Sequence, residues 1–381
     1  MKIGFVLDDS LDTPDGVQQY IVTLGNWFSG NGHEVHYLVG NTTRSDIKNI
    51  HSLSNNMQVR FNGNRMSMPL PADQSVIKEL LISEQFDVLH VQMPYSPWLA
   101  HRVILAAPTN TAVIGTFHIA PHSWPVTLAT RGLALYTKRS LKRFDKIFSV
   151  SAAAAEFAHK TYKVSTTILP NVVETAAFRA ARPYGKYTDK PTIVFLGRLV
   201  PRKGCQLLLT AAVRLLTTYP DLDFRLIICG KGPLEKQLKA YSVEQQLQKH
   251  VIFTGFVTEA DKARYLRTAD LAVFPSTGGE SFGIVLIEAM AAAHPVVRGA
   301  DNPGYRTVLA DFPELLFPVN DAAFLADKIH LFLTNSSAHK KALDWQCRHL
   351  PQFDVAAVGT KLLTAYESVN KKSALKDTKL G

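Results

Sequence analysis

Cysteine is scarce in this chain. Its 381 residues hold three, Cys205, Cys229 and Cys347, an odd number set far apart with no C-x-x-C. That excludes a disulfide framework or a zinc ribbon as the organising device, and a reducing compartment fits. Long apolar runs are missing too. The opening MKIGFVLDDS meets Asp8 and Asp9 after five apolar residues, too few for the core of a secretory signal. No stretch approaches the roughly 20 apolar residues of a membrane span, so a cytoplasmic location is expected. There is no complete G-x-G-x-x-G, no H-E-x-x-H, no fixed-period repeat and no low-complexity tract.

What is present is a normal globular mixture, 46% hydrophobic and 19% charged, with a formal net charge of +10. The charge points to an anionic partner without choosing among nucleotide phosphates, an acidic membrane and nucleic acid. The length asks for two domains. Short apolar runs alternate with helical patterns from the first residues onward. Strands are expected at 2–7, 34–39, 87–91, 112–117, 146–150 and 165–169, and helices at 17–29, 74–84, 97–106, 124–143 and 152–160. After 171–191, PNVVETAAFRAARPYGKYTDKP less its first residue, the rhythm restarts. Strands then fall at 192–197, 224–229, 251–253, 271–274 and 295–298, with helices at 204–218, 233–243, 258–268, 283–293 and 321–333. This is the pattern of two Rossmann-like α/β domains, 1–170 and 192–350, with 171–191 as linker and a cleft between them as the default ligand site. The polar end, 371–381, reads as a disordered tail.

Several turns could carry chemistry. Pro14-Asp15-Gly16 precedes a helix, where a glycine lets a phosphate come close; a plain surface turn is the competing reading. FLGRLVPRKG sets Arg198 and Lys203 about a strand-to-helix turn, suited to gripping a diphosphate from two sides, or else a solvated basic loop. In GGESFGIVLIEAM, Glu280 precedes a helix that begins near Phe282 or Gly283, and the backbone N–H groups about that start, at Ser281, Phe282, Gly283 and Ile284, suit an anion. Glu288 stands in a helix apolar nearly all round, so its carboxylate needs partners: vicinal hydroxyls of a ribose, or an internal ion pair. Gly279 to Gly283 also spells G-x-S-x-G around Ser281, but Pro275 to Glu280 separate that serine from its strand, unlike a hydrolase elbow. His118 ends an apolar strand, where it could polarise a sugar hydroxyl or simply be a bonded loop histidine. No metal site is expected. The segment 137–148, TKRSLKRFDKIF, reads as a basic amphipathic helix able to lie on an acidic membrane, or as a solvated face.

The order of these blocks resembles the retaining glycosyltransferases of the GT-B fold, group 1 or glycosyltransferase family 4, over nearly the whole chain. PDGVQQY at 14–20, FDVLHVQMP at 86–94, GTFH at 115–118, FLGRLVPRKG at 195–204, Gly255-Phe256-Val257 and GGESFGIVLIEAMAAA at 278–293 carry it. Within the family they are similar to the bacterial enzymes that mannosylate phosphatidylinositol. The resemblance implies a nucleotide-sugar donor, such as GDP-mannose, a lipid or glycan acceptor and no metal cofactor. Arg198 and Lys203 would hold the diphosphate, Gly16 would admit it, Glu280 would bind the sugar, Glu288 the ribose and the 255–257 loop the base, with His118 near the anomeric centre. It also implies a last helix, 353–370, crossing back to the first domain, and a peripheral position at the inner face of the cell membrane. The acceptor-side helix 74–85, basic in the resembling enzymes, here holds one lysine and two glutamates, and Ala293-His294 stands where the family has glycine. Two other readings remain open here: a serine hydrolase using Ser281, and a non-catalytic nucleotide-sugar-binding protein.

Overall fold

Runs such as KIGFV, TIVFL, RLIIC and LAVF have no polar face to show water, so a sheet covered on both sides is the arrangement that buries them. A computed structural model describes residues 1–13, 15–61, 64–69, 72–119 and 124–377. The chain divides into two compact units, one of Met1–Val172 with the segment from Val355 on, the other Val173–Asp354.

The first unit runs β1 (Lys2–Val6), α1 (Gly16–Gly30), β2 (Glu34–Gly40), β3 (Ile50–Ser54), β4 (Asn56–Phe61), β5 (Asn64–Pro69), α2 (Gln74–Glu84), β6 (Val88–Gln92), α3 (Leu99–Ala106), β7 (Ala112–Phe117), α4 (Trp124–Leu141), β8 (Lys146–Ser149), α5 (Ala152–Phe157) and β9 (Thr167–Ile168). Its sheet has the order β3-β2-β1-β6-β7-β8-β9, parallel throughout, and β4 pairs antiparallel with β5 apart from it.

The second unit runs α6 (Thr175–Ala180), β10 (Thr192–Leu196), α7 (Cys205–Thr218), β11 (Arg225–Cys229), α8 (Glu235–Glu244), β12 (Val251–Gly255), α9 (Glu259–Thr268), β13 (Leu271–Phe274), α10 (Ile284–Ala291), β14 (Val296–Ala300), α11 (Pro303–Leu309), β15 (Leu316–Phe317), α12 (Ala322–Thr334) and α13 (Ser336–His349). Its six parallel strands lie in the order β12-β11-β10-β13-β14-β15, a Rossmann order. The order reverses direction between β10 and β13, and the carboxyl ends of such a strand pair are where doubly wound sheets take ligands.

The chain then returns to the first unit as α14 (Val355–Asp377). Val358, Leu362 and Tyr366 join Phe5, Leu24 and Phe28 in one core cluster. The Tyr366 ring stacks on Phe28 at 5.4 Å, and its hydroxyl lies 2.6 Å from His90 Nδ1.

Four elements differ from the sequence expectation. The segment 171–191 carries α6 and a 3-10 turn at Gly185–Tyr187, and from Val173 on it belongs to the second unit. Tyr184 ties it down, its backbone N–H donating to Thr268 Oγ1 at 2.8 Å and its hydroxyl to Asp261. The helix α14 runs to Asp377, beyond the point where 371–381 was expected to be disordered, because an i to i−4 ladder needs no apolar side chains to continue; residues 378–381 lie outside the described set. The segment 137–148 is not one helix. It ends at Leu141, and Lys146 already stands on β8, because Asp145 turns the chain by accepting from the Val113 N–H at 2.8 Å. Finally β3, β4, β5, α11, β15 and α13 went unread. An Asn62-Gly63 pair between two strand-like runs, and Asn302-Pro303 as a helix start, were the available signals.

Candidate active site

The site grows from the turns after β10, β11, β12 and β13. These turns touch backbone to backbone, which only glycine permits. Gly204 sits at φ 69°, and a Cβ there would come 1.9 Å from the Pro275 carbonyl oxygen. Gly230, at φ 150°, stands equally close to the Gly197 oxygen. Because Gly204 lets the 198–204 loop lie on the 275–277 turn, the Arg202 carbonyl accepts from the Thr277 N–H at 2.8 Å and the Ser276 hydroxyl at 3.0 Å.

That seating brings the basic loop to Glu280. Its Oε1 accepts from Lys203 Nζ at 2.7 Å, Ser276 Oγ at 2.7 Å and Arg202 Nη1 at 3.1 Å. Burial alone would raise this carboxyl, but Lys203, Ser276 and Arg202 outweigh it and hold it below the usual range. The backbone of Glu280 is clamped as well, since a Cβ on Gly304 at the start of α11 would fall 2.4 Å from the Glu280 oxygen. Asn302 caps α11, accepting from the Tyr305 N–H at 3.0 Å while donating to the Ser276 oxygen at 3.0 Å.

The helix α10 starts at Gly283, whose φ of 101° and contact with the Tyr305 ring admit no side chain. Gly283, the N-cap, has no side chain to satisfy the first N–H groups of the helix, and the Leu286 N–H bonds the Gly283 carbonyl at 2.9 Å. One turn further, Glu288 Oε1 accepts from Lys262 Nζ of α9 at 2.5 Å, with both side chains buried. Lys262 also reaches Glu259 at 2.5 Å. Burial would lower the lysine, yet Glu288 and Glu259 hold it above its ordinary value. The internal ion pair, one of the two readings open for Glu288, is present. After β12 the 255–257 turn presents Phe256, 64% exposed, on a loop opened by Gly255 at φ 74°.

In the first unit, His118 follows β7 and is buried, with Nε2 2.7 Å from Gln92 Oε1 and its ring edge-on to Tyr20 at 4.9 Å. The amide oxygen accepts, so Nε2 carries the proton. Burial pushes the imidazole down to about 3, so it is a neutral polar group rather than an acid poised near neutrality. His90, buried between the Tyr366 hydroxyl and Thr116 Oγ1, is likewise held down at about 3. Asp8, at the end of β1, accepts from the Ala100 N–H at 2.5 Å and from Ser96, and burial lifts it to about 6. Gly16 is the first residue of α1.

Two stretches of the chain match glycosyltransferase families: residues 14–177 match Glycosyltransferase Family 4, and residues 178–346 match Glycosyl transferases group 1. A phosphatidyl-myo-inositol mannosyltransferase of Mycolicibacterium smegmatis is 31% identical over 380 residues, covering 97% of this chain and 94% of its own length. The chain belongs to the group 1 glycosyltransferases. A phosphatidyl-myo-inositol mannosyltransferase of Mycobacterium tuberculosis is 32% identical over 384 residues, covering 97% of this chain and 97% of its own length. An Anabaena protein solved with UDP shares the fold with a TM-score of 0.76 at 15% identity, covering 97% of this chain and all of that one.

For a glycosyltransferase, the structure sorts the expected residues into two sets. Arg198, Lys203, Gly255, Phe256, Val257, Glu280, Ser281, Phe282, Gly283, Ile284 and Glu288 all lie in the second unit; Gly16 and His118 lie in the first. Phe282 is buried and edge-on to Phe353 at 5.8 Å, so only its backbone could meet a ligand. Arg202, Ser276, Lys262, Asn302 and Gly304 were missed. Arg202 sits beside Lys203 in the same motif, and Lys262 lies four residues past Thr258, a helix N-cap. The hydrolase reading fails on geometry: β13 ends at Phe274, well before Ser281. Of the residues that could have completed a triad, Asp327 accepts from Tyr219 at 3.0 Å and His330 stacks on that same tyrosine at 3.7 Å.

Proposed function

We propose that this glycosyltransferase moves mannose from GDP-mannose to a lipid or glycan acceptor, with retention at the anomeric carbon and without a metal at the donor. The observation that carries the donor reading is the convergence of Lys203, Arg202 and Ser276 on Glu280 at the strand-order reversal of the second unit. A diphosphate there would meet the Arg198–Lys203 loop and the uncapped start of α10, which together supply positive potential to the leaving group without an ion. Glu280 would then orient the sugar hydroxyls. Glu288, fixed by Lys262, would receive the ribose, and Phe256 would lie along the base. The mannosyl reading rests on the full-length relatives, named phosphatidyl-myo-inositol mannosyltransferases. His118 would enter as a neutral polar group rather than as an acid or base poised near neutrality. No carboxylate is placed as a nucleophile by this reading, so bond breaking and bond forming share one face of the sugar.

On α2, Lys78 stands with Glu79 and Glu84 where the resembling enzymes are basic, which weighs against an inositol phospholipid as the acceptor. An acidic membrane surface would meet Lys138, Arg139 and Lys142 beside exposed Leu135 and Tyr136. Among the described residues no helix is long and apolar enough to cross a membrane, which fits a peripheral position.

The test is a panel of nucleotide sugars offered with phosphatidylinositol and with a total membrane lipid extract. Transfer from GDP-mannose is expected, unchanged by added Mg²⁺ or Mn²⁺, with the product's anomeric configuration read by NMR. Glu280→Gln and Lys203→Ala should each lower kcat/KM by about 100-fold or more while the fold survives. Full activity in both variants would sink the assignment.

A further inference from the structure

Away from the donor-site residues, four elements of the first unit bring titratable side chains to one spot. Lys2 comes from β1, Glu34 and His36 from β2, His51 from β3 and Glu84 from the last turn of α2. His36 Nδ1 and His51 Nε2 face each other at 2.8 Å, with their rings parallel to within 2°. Glu84 Oε2 lies 3.8 Å from His36 Nε2, and one ligand atom from each of His36, His51 and Glu84 lies within 4.8 Å of the other two. The His36 ring is buried and edge-on to Phe86 at 5.3 Å, so it is fixed in place. His51 and Glu84 are half-buried, which leaves the spot open to solvent.

We propose that His36, His51 and Glu84 form a binding site for a transition-metal ion of the zinc class, tying β3, the edge strand of the sheet, to β2 and α2. Two imidazole nitrogens face each other across the space of one shared proton. Opening that gap by about half an ångström would set both at roughly 2.0–2.1 Å from a tetrahedral ion. Two imidazoles and one carboxylate suit zinc, copper or nickel and not magnesium or calcium, and the fourth position would be left to water. The resident cation is Lys2, whose Nζ lies 2.8 Å from Glu84 and 3.1 Å from Glu34. A metal would take Glu84 from the ammonium, which keeps Glu34. The sequence reading expected no metal because it looked for local motifs; these ligands come from three separate elements, and only the fold assembles them.

Lys2 gives the test two opposite arms. Untagged full-length protein is titrated with Zn²⁺ against a chromophoric chelator, and melting curves are recorded with Zn²⁺ and with EDTA. One equivalent should bind, and His51→Gln and Glu84→Gln should each weaken it by about 10-fold or more, by analogy with the cost of losing supporting groups at metal sites. Lys2→Met should tighten binding, an outcome that a folding defect could not produce. His159→Gln, on an exposed histidine of the same unit, should change nothing. Zn²⁺ should raise the melting temperature of the wild type but not of His51→Gln. Equal weakening by His159→Gln and His51→Gln, or unchanged binding in both His51→Gln and Lys2→Met, would overturn the site.

Discussion

Replacing His118 by glutamine should flatten the acid sensitivity of the first unit, and the size of the effect follows from its burial. The imidazole is held at about 3 in the folded chain against about 6.5 when unfolded. A base whose folded pKa is depressed gives stability that is complete above 6.5 and is lost as pH falls from there towards 3. At pH ~5 the unfolded state takes a proton that the folded state refuses, at a cost of about 2 kcal/mol. The wild-type curve alone would hide this. His90 adds a similar loss, while Asp8 and Asp9, lifted to about 6 chiefly by burial, gain stability as pH falls through 6 and each offset about 1 kcal/mol. The difference between variant and wild type removes those shared contributions. Glutamine can still bond Gln92, and that contact is the same at every pH. Urea unfolding of both proteins from pH ~7.5 to ~5, with the transition of the first unit fitted by itself, should show His118→Gln gaining about 2 kcal/mol relative to wild type. A ¹³C-labelled imidazole should stay at its neutral shift over the same range. A difference curve flat to about 0.5 kcal/mol, or a His118 midpoint above about 5.5, would refute the reasoning.

Three further outcomes rest on single positions. Gly204→Ala should lower kcat/KM by about 100-fold with a smaller loss of stability, because the clash at Pro275 moves the loop that carries Lys203; steady-state kinetics beside a melting curve separate the two. Lys262→Met leaves the Glu288 carboxylate buried without its cation and should cost the second unit about 3–5 kcal/mol in urea unfolding, with donor KM rising more than kcat falls. Ala293→Gly should stabilise by up to about 1 kcal/mol, because Ala293 closes α10 at φ 52°, where a side chain is strained; differential melting reads the sign.

The alternation of strands and helices was legible because parallel strands buried on both faces must be short and apolar, and helix periodicity filled the gaps between them. The turn positions of Arg198, Lys203 and Glu280 could be read because a strand's end fixes where the next turn falls, and Glu288 because it is an acid in an otherwise apolar helix. Their partners could not be. Nothing local ties Lys262 to Glu288 or Arg202 to Glu280, since the contacts depend on how neighbouring turns sit on one another. The basic stretch at 137–148 was misjudged because periodicity cannot see Asp145 capturing a strand N–H and ending the helix early. Alanine at 293, noted in the sequence as a departure from a family glycine, proved to occupy a left-handed residue, so a sequence irregularity there marked a real backbone constraint.

The return of α14 has a consequence for how the chain is made. Val358, Leu362 and Tyr366 complete a core begun by Phe5, Leu24 and Phe28, yet the ribosome emits them only after all of Val173–Asp354. The second unit is therefore complete in the chain before the first receives its last helix, and until α14 docks the Phe28 and His90 surfaces of the first stay uncovered. A chain ending before residue 355 would keep the whole second unit and leave the first open, and that open form is what a chaperone would have most to hold.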